Sequence, residues 1–259
     1  MEPLLLSKSR LNTYCQCPEK FRLTYIEKII PEKTSIPLIE GSAIHHIVEN
    51  CLVYGKNIPE LATEVSREFW QNQNWEQTDY PDNSSFIQAQ EDILLESKAF
   101  VEMIGHLETH EMETYMEYPL IHPQTGEVDE SIILRGYVDI IDTDLHGIIR
   151  IIDLKTTART PNTEQANRAM ELTVYAYLMA CTFGFHIEPA VSLLYLVRSK
   201  QPKVIWQNSQ RSMADFLKLH ENIISISRAI RQGLFWKNQG MHCTWCVHQD
   251  ICFAASLAA

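Results

Sequence analysis

Three stretches constrain this chain more than anything else in it: METYMEYPLIHP (112–123), SIILRGYVDIIDTD (131–144) and GIIRIIDLKTT (147–157). They are β-branched or alternating runs, the pattern of half-buried strands. QTGEVDE and the short turn around LHG separate them, so the sequence predicts a meander of three strands joined by hairpins. A meander needs its apolar face covered, and the rest of the chain reads mostly as helix.

Ser7 or Ser9 is placed to cap a short helix through RLNTYC, and Pro18 restarts a helix at a first-turn position. IPLIEGSAIHHIVENCLVYG sets Ile44, Ile47, Val48 and Cys51 at helical spacing and stops at Gly55. Residues 59–76 and 84–110 read as two further helices, split by the turn-rich TDYPDNSS. After the strands, TEQANRAMELTVYAYLMACTFG predicts one helix with Ala169, Leu172, Tyr175, Ala176 and Met179 on a face. PAVSLLYLVRS returns to strand, VIWQNS reads as a further strand, and a helix covers about 210–232. The expected class is α/β in a single domain, 1–259. It comprises an N-terminal helical segment (1–33), an acidic helical insertion (56–110), a core sheet (111–200) and a cysteine segment (240–253).

The net charge of −11 is unevenly spread. Residues 1–33 balance to +2, residues 34–149 to −18 and residues 150–259 to +5. A polyanion can therefore meet both ends while the acidic middle faces away or holds cations. MEPLLLSKSR lacks the pattern of a signal peptide and no apolar run is long enough to span a bilayer, so a soluble, cytoplasmic protein with no membrane partner is expected. Seven cysteines, an odd number, do not read as a disulfide framework there.

Asp139 follows Tyr137 and Val138 on one strand, and Asp153 lies fourteen positions on, two before Lys155. A hairpin can bring the two aspartates together near one end of neighbouring strands. Carboxylates that close repel unless a proton or cation lies between them. A hard divalent ion on oxygen ligands resolves the repulsion; a strand-end salt bridge between Lys155 and a turn aspartate is the simpler account. His45, in the GxxxHxxxE pattern after Gly41, adds a third candidate ligand.

Taken together, SKSRLNTYCQCPEKFRL, GSAIHHIVE, RGYVDIID, DLKTT and ELTVYAYL resemble the successive motifs of RecB-like nucleases in the PD-(D/E)XK superfamily. CTWCVHQDIC with an N-terminal Cys is similar to their iron–sulfur branch, which includes the AddB nuclease domain and CRISPR-associated RecB-like exonucleases. The resemblance implies a restriction-endonuclease-like core (helix, three-strand meander, helix, strand) carrying a helical insertion and a C-terminal cysteine cluster stapled to the N-terminus. It implies Mg2+ or Mn2+ on His45, Asp139, Asp153 and the Leu154 carbonyl, with Lys155 as the catalytic lysine. Tyr175 matches the tyrosine of the family's Q-x-x-x-Y motif, and Glu171 stands where the family has glutamine. Glu171 would add a metal or water contact or repel phosphate.

The implied activity is metal-dependent hydrolysis of DNA phosphodiesters, as an exonuclease on single-stranded DNA or ends, in repair, recombination, CRISPR or phage DNA processing, with a protein partner of such a complex conceivable. Alternatives are a nuclease-fold DNA-binding or assembly subunit inactive alone, and a structure-specific or sequence-specific endonuclease. Tyr14, Phe21, Trp206, Trp236 and Trp245 are candidates for stacking on bases.

Cys243, Cys246 and Cys252 supply three thiolates on a short segment. The resemblance implies Cys17, before Pro18, rather than Cys15 as the fourth, and a [4Fe-4S] cluster. Spacing alone also suits Zn2+, for which His242 and His248 are further ligands. Such a staple would close most of the chain into a loop, a constraint on the order of 5 kcal/mol by analogy with a disulfide.

Overall fold

The computed structural model describes residues 2–53, 59–104, 109–143 and 148–257. Gly55 and the LHG turn, named above as a helix stop and a hairpin turn, lie outside them.

Six strands make one sheet: β1 (Leu4–Leu6), β2 (Thr109–Ile121), β3 (Val128–Thr143), β4 (Ile149–Thr157), β5 (Ala190–Val197) and β6 (Lys203–Gln210). Their order is β1-β3-β4-β5-β6, with β2 on the far edge of β3. β2–β3 and β3–β4 are antiparallel, as a meander requires, and β4–β5 is parallel. β5 is buried from Val191 to Val197, the near-continuous apolar run of a strand covered on both faces.

Two cores lie on opposite faces. α3 (Ile36–Val53), α4 (Pro59–Gln71) and α5 (Asn83–Ile104) pack Ile44, Ile47, Trp70 and Phe100 against Ile152, Leu154, Leu194 and Leu196. On the other face, α1 (Lys8–Gln16), α7 (Met170–Phe183) and α8 (Met213–Arg231) meet Ile151, Val191, Leu193 and Tyr195. The alternation of Leu193, Leu194, Tyr195 and Leu196 between the cores is the period-two pleat of a strand. α7 also buries Val174, Tyr177, Leu178 and Ala180, so it is apolar all round and sits between sheet and α8. Part of the acidic excess is structural: the Arg198 guanidinium donates to Glu96 on α5 and Glu40 on α3, fastening both helices to the end of β5.

Three local expectations change. Leu4–Leu6 is a strand, parallel to Ile132–Leu134 of β3. The long helix expected over 163–184 is broken into α6 (Gln165–Arg168) and α7, with Ala169 extended between them. Arg211, 2% exposed, holds the break by donating to the carbonyls of Ala166 and Ala169. The second acidic helix ends at Ile104, and Thr109 already belongs to β2.

Where the site will sit follows from the register. β2 occupies one edge of β3, so β1 and β4 must share the other. β1 covers Ile132–Leu134 and β4 covers Ile140–Thr143. Between them, residues 135–139 face a fork in the sheet. The N-terminus of α1, capped by Ser7, follows directly from β1 at this opening.

Candidate active site

The β3–β4 ladder ends at Ile140 opposite Ile152, so Asp139 and Asp153 are the next facing pair, at the crotch of the fork. Asp139 Oδ2 accepts the Leu154 N–H at 2.9 Å. In a strand the N–H and C=O of one residue point to the same side, so the Leu154 carbonyl also opens toward β3. Asp153 has no exposed surface and lies between two ammonium groups: Lys8 Nζ is 2.7 Å from Oδ1 and Lys155 Nζ is 2.6 Å from Oδ2. Lys155 is also 3.6 Å from Glu171, in the first turn of α7. Glu171 therefore faces the lysine rather than standing apart from it.

α3 brings His45 to the same cleft. Gly41, one turn earlier, permits the approach: a Cβ there would lie 3.3 Å from Thr156 Oγ1 of β4. His45 Nδ1 is 3.2 Å from Glu49 Oε1. His45, Asp139, Leu154, Lys155, Glu49 and Lys8 line one cavity. Tyr175 packs its ring against Gly136, where a Cβ would come within 3.2 Å. Its buried hydroxyl has no hydrogen-bond partner among the described residues, and Lys8 Nζ sits 4.7 Å from the ring centroid.

The charges are strongly coupled. Burial and the Asp153 charge push the Asp139 carboxyl up to about 6. Burial acts the same way on Asp153, but Lys155 and Lys8 outweigh it and hold that carboxyl below the ordinary range. Burial disfavours the His45 imidazolium, yet the bond to Glu49 and the charges of Asp139, Glu49 and Asp153 raise its pKa overall. Among the described residues, no three His, Cys, Asp or Glu side chains converge on one ion position as they stand. Instead Asp139 is turned to the Leu154 amide, Asp153 to its lysines, and His45 to Glu49.

Three residues here were not assigned from sequence. Lys8 had no signal, because β1 and the fork that bring it to Asp153 are tertiary features. Glu49 lies within GSAIHHIVE, at i+4 from His45, and that spacing is a sequence signal. Glu113 stands beside Asp139 on β2 in a left-handed conformation, φ 46°, uncommon for a residue with a side chain. Partial burial and the nearby Glu49 carboxylate push its carboxyl up.

The sequence matches the PD-(D/E)XK nuclease superfamily over residues 5–253. The chain belongs to that superfamily. Its members are phosphodiester hydrolases, and the six-stranded sheet with helices on both faces is consistent with their restriction-endonuclease-like core. A crystal structure of a "Putative exonuclease" from Eubacterium rectale is similar in fold, with TM-score 0.57 and 13% identity over 94% of this chain and 87% of that one. A crystal structure of SSO0001 has TM-score 0.45 and 14% identity over 98% and 88% of the two chains. No curated protein matches the chain. No described helix of this nuclease-superfamily chain is long and apolar enough to cross a membrane.

The cysteines form a second grouping. Cys17, Cys243, Cys246 and Cys252 line one cavity together with His242 and His248, whereas Cys15 is exposed and lies outside it. None of the seven is in a disulfide. His248 Nε2 is engaged with Thr24 Oγ1 at 2.8 Å, while its buried Nδ1 has no partner among the described residues. His242 Nε2 faces the Asn238 carbonyl.

The expected base-stacking aromatics divide. Tyr14 and Phe21 are buried in the core, where Tyr14 meets Phe21 edge-on and Phe21 stacks on Phe235, which removes them as stacking surfaces. Trp206 is partly buried under the Arg150 guanidinium. Trp236 and Trp245 are exposed.

Proposed function

We propose that the fork is the centre of a divalent-metal-dependent deoxyribonuclease that hydrolyses single-stranded DNA at or near its ends. One observation carries this reading: two facing carboxylates at the end of the β3–β4 ladder share a crotch with two lysines, beside a histidine and a carbonyl opening the same way.

The donor set fits Mg2+ or Mn2+. Asp139, Asp153 and the Leu154 carbonyl offer oxygens suited to a hard ion, and His45 adds a nitrogen. Lys8 already stands on Asp153 Oδ1 as a cation, and the Tyr175 hydroxyl, unpartnered among the described residues, keeps its hydrogen-bonding capacity. When bound, the ion supplies charge neutralisation at the phosphate and lowers the pKa of water.

The chain's own groups do the rest. Lys155, oriented by Asp153 and Glu171, offsets the charge that develops on the phosphoryl oxygens and can hold the attacking water. Glu171 fixes the lysine, which gives the carboxylate at the family's glutamine position a constructive task. Glu49 sets the ring of His45, leaving Nε2 for the cleft.

We also read the cysteine cavity as the seat of a [4Fe-4S] cluster on Cys17, Cys243, Cys246 and Cys252, with Zn2+ as the competing occupant. Four thiols around one cavity are the support. The engagement of His248 with Thr24 and of His242 with Asn238 weighs against a zinc site using these nitrogens. Protein purified without oxygen should be brown and carry roughly four irons per chain. Colourless protein with one tightly held zinc would reassign the metal. Cleavage of end-labelled single- and double-stranded DNA with Mn2+ tests the fork separately; no cleavage of either removes the deoxyribonuclease reading.

A further inference from the structure

The β2–β3 hairpin carries two tyrosines that the fold leaves in the open. Tyr115 and Tyr137 are directly opposite in the ladder, with ring centroids 4.9 Å apart, and are 46% and 57% exposed. Their neighbours Leu134, Gly136 and Val138 are buried against the α1/α7 core. A cross-strand aromatic pair contributes modestly to a hairpin, but the exposed area here is larger than that contact needs.

The surroundings point to a ligand. Tyr115, Tyr137 and Arg135 line one cavity with Ser7, Lys8 and Asp139. Lys8 and Asp139 also line the cavity of His45 and Lys155, so the tyrosine pair and the fork share walls. Tyr137 is two residues from Asp139, about 7 Å along the strand. Arg135 and Arg10 are close enough for Arg135 to depress the Arg10 pKa, after burial. Glu117, which accepts from the Tyr115 hydroxyl and lies 3.8 Å from Arg135, is the carboxylate that offsets them. Lys8, Arg10 and Arg135 thus place three cations around this corner, Lys8 standing on Asp153 and Arg135 near Glu117.

We propose that the Tyr115–Tyr137 pair is a base-stacking platform that holds single-stranded DNA as its phosphates pass Arg135 and Lys8 toward the fork. This rests on the nuclease reading above and names how that site takes its substrate. Exposed tyrosine faces beside cations are the chemistry of sequence-tolerant single-strand binding. A duplex keeps its base faces stacked internally and offers little to such rings, so the platform selects for unpaired ends.

The test is equilibrium binding of labelled oligo-dT to the full chain, by fluorescence anisotropy with divalent metal chelated so that nothing is cut. Tyr115→Ala with Tyr137→Ala should weaken binding about tenfold to a hundredfold. Tyr115→Phe with Tyr137→Phe should stay within about twofold, because stacking needs the ring and not the hydroxyl. The parent should bind an abasic strand of equal length as weakly as the alanine pair binds oligo-dT. An alanine pair that binds and melts like the parent overturns the platform, even if the parent cleaves DNA normally. Equal losses in the phenylalanine and alanine pairs would assign the effect to the Tyr115–Glu117 bond and also overturn it. If the alanine pair does not fold, the parent decides: equal affinity for abasic and oligo-dT strands rejects stacking. A parent that neither binds nor cleaves DNA rejects the nuclease reading and the platform with it.

Discussion

The fork and the cysteine cavity are both candidate metal sites, yet the chain prepares them in opposite ways. At the fork, every charge has a partner in the protein: Asp153 has Lys8 and Lys155, Asp139 has the Leu154 amide, and His45 has Glu49. The surrounding strands and helices are buried on two faces. In the cysteine segment, His248 is the one buried side chain among those described from 232 to 253, and Trp236, Met241, Trp245 and Val247 are exposed. That segment is tied to the N-terminal helices by a few hydrogen bonds, among them Asn238 Nδ2 to the Gln16 carbonyl and the Glu19 amide to the Trp236 carbonyl. One site is built to stand before an ion arrives, and the other has little core of its own. Metal at the fork should therefore matter to chemistry, and metal at the cysteines to stability.

The largest expected effect breaks the second half of that comparison. Cys17→Ser or Cys243→Ser, in protein prepared without oxygen, should lower the melting temperature by about 10–20 °C, from a constraint of roughly 5 kcal/mol in a chain of this size. Cys15→Ser should leave it unchanged. Scanning calorimetry of the three variants checks this, and equal melting temperatures would remove the staple.

Breaking the fork from within comes next. Asp153→Ala leaves Lys8 and Lys155 without their shared carboxylate, at a cost of about 3 kcal/mol, the low end for a buried pair because both lysines keep some solvent access. Chelating divalent metal from the parent should cost only the mass-action contribution of a bound ion, less than the Asp153→Ala loss, in the same thermal melt. A large shift on chelation, with the cysteine metal retained, would mean the fork needs its ion to fold.

A smaller effect has a sign set by Asp139. Its carboxyl is pushed to about 6, against an ordinary 3.8, so the folded metal-free chain holds that proton more tightly than the unfolded chain does. The ionised form then costs stability, with the cost absent near pH 4 and complete above about pH 6. Asp139→Asn keeps an oxygen for the Leu154 amide and should raise the melting temperature of chelated protein by several degrees at pH 8, with no gain near pH 4. Stabilisation equal at both pH values would contradict the upward push on Asp139 from burial and the Asp153 charge. The smallest effect concerns Glu171→Gln: its pair with the partly exposed Lys155 is worth under about 1 kcal/mol in stability. Its signature should instead be a changed dependence of cleavage rate on metal concentration.

The elements with strong local signals were legible in the sequence. Alternation and β-branching in 112–157 announced the meander, and the spacing of Ile44, Ile47, Val48 and Cys51 announced the buried face of α3. What escaped was set by distant partners. Leu4–Leu6 becomes a strand through the edge that β3 offers it, and Lys8 reaches Asp153 across 145 residues. The break at Ala169 depends on the Arg211 guanidinium, 42 residues away, taking the freed carbonyls. Asp139, Asp153 and Lys155 were legible as a set, because a hairpin fixes which strand ends meet; their division of labour with Lys8 was not.

The central claim is that the fork carries out phosphodiester hydrolysis, and Lys155→Ala tests it most directly. Lys155 touches Asp153 and Glu171 but belongs to neither core, so the variant should fold. The measurement is release of labelled ends from single-stranded DNA in Mn2+, by parent and variant purified identically and assayed well below their melting temperatures. The account predicts cleavage by the parent and a loss of at least about a hundredfold in the variant, the scale of removing a group that stabilises transition-state charge. Equal rates for the two proteins, with circular dichroism showing both folded, would contradict it.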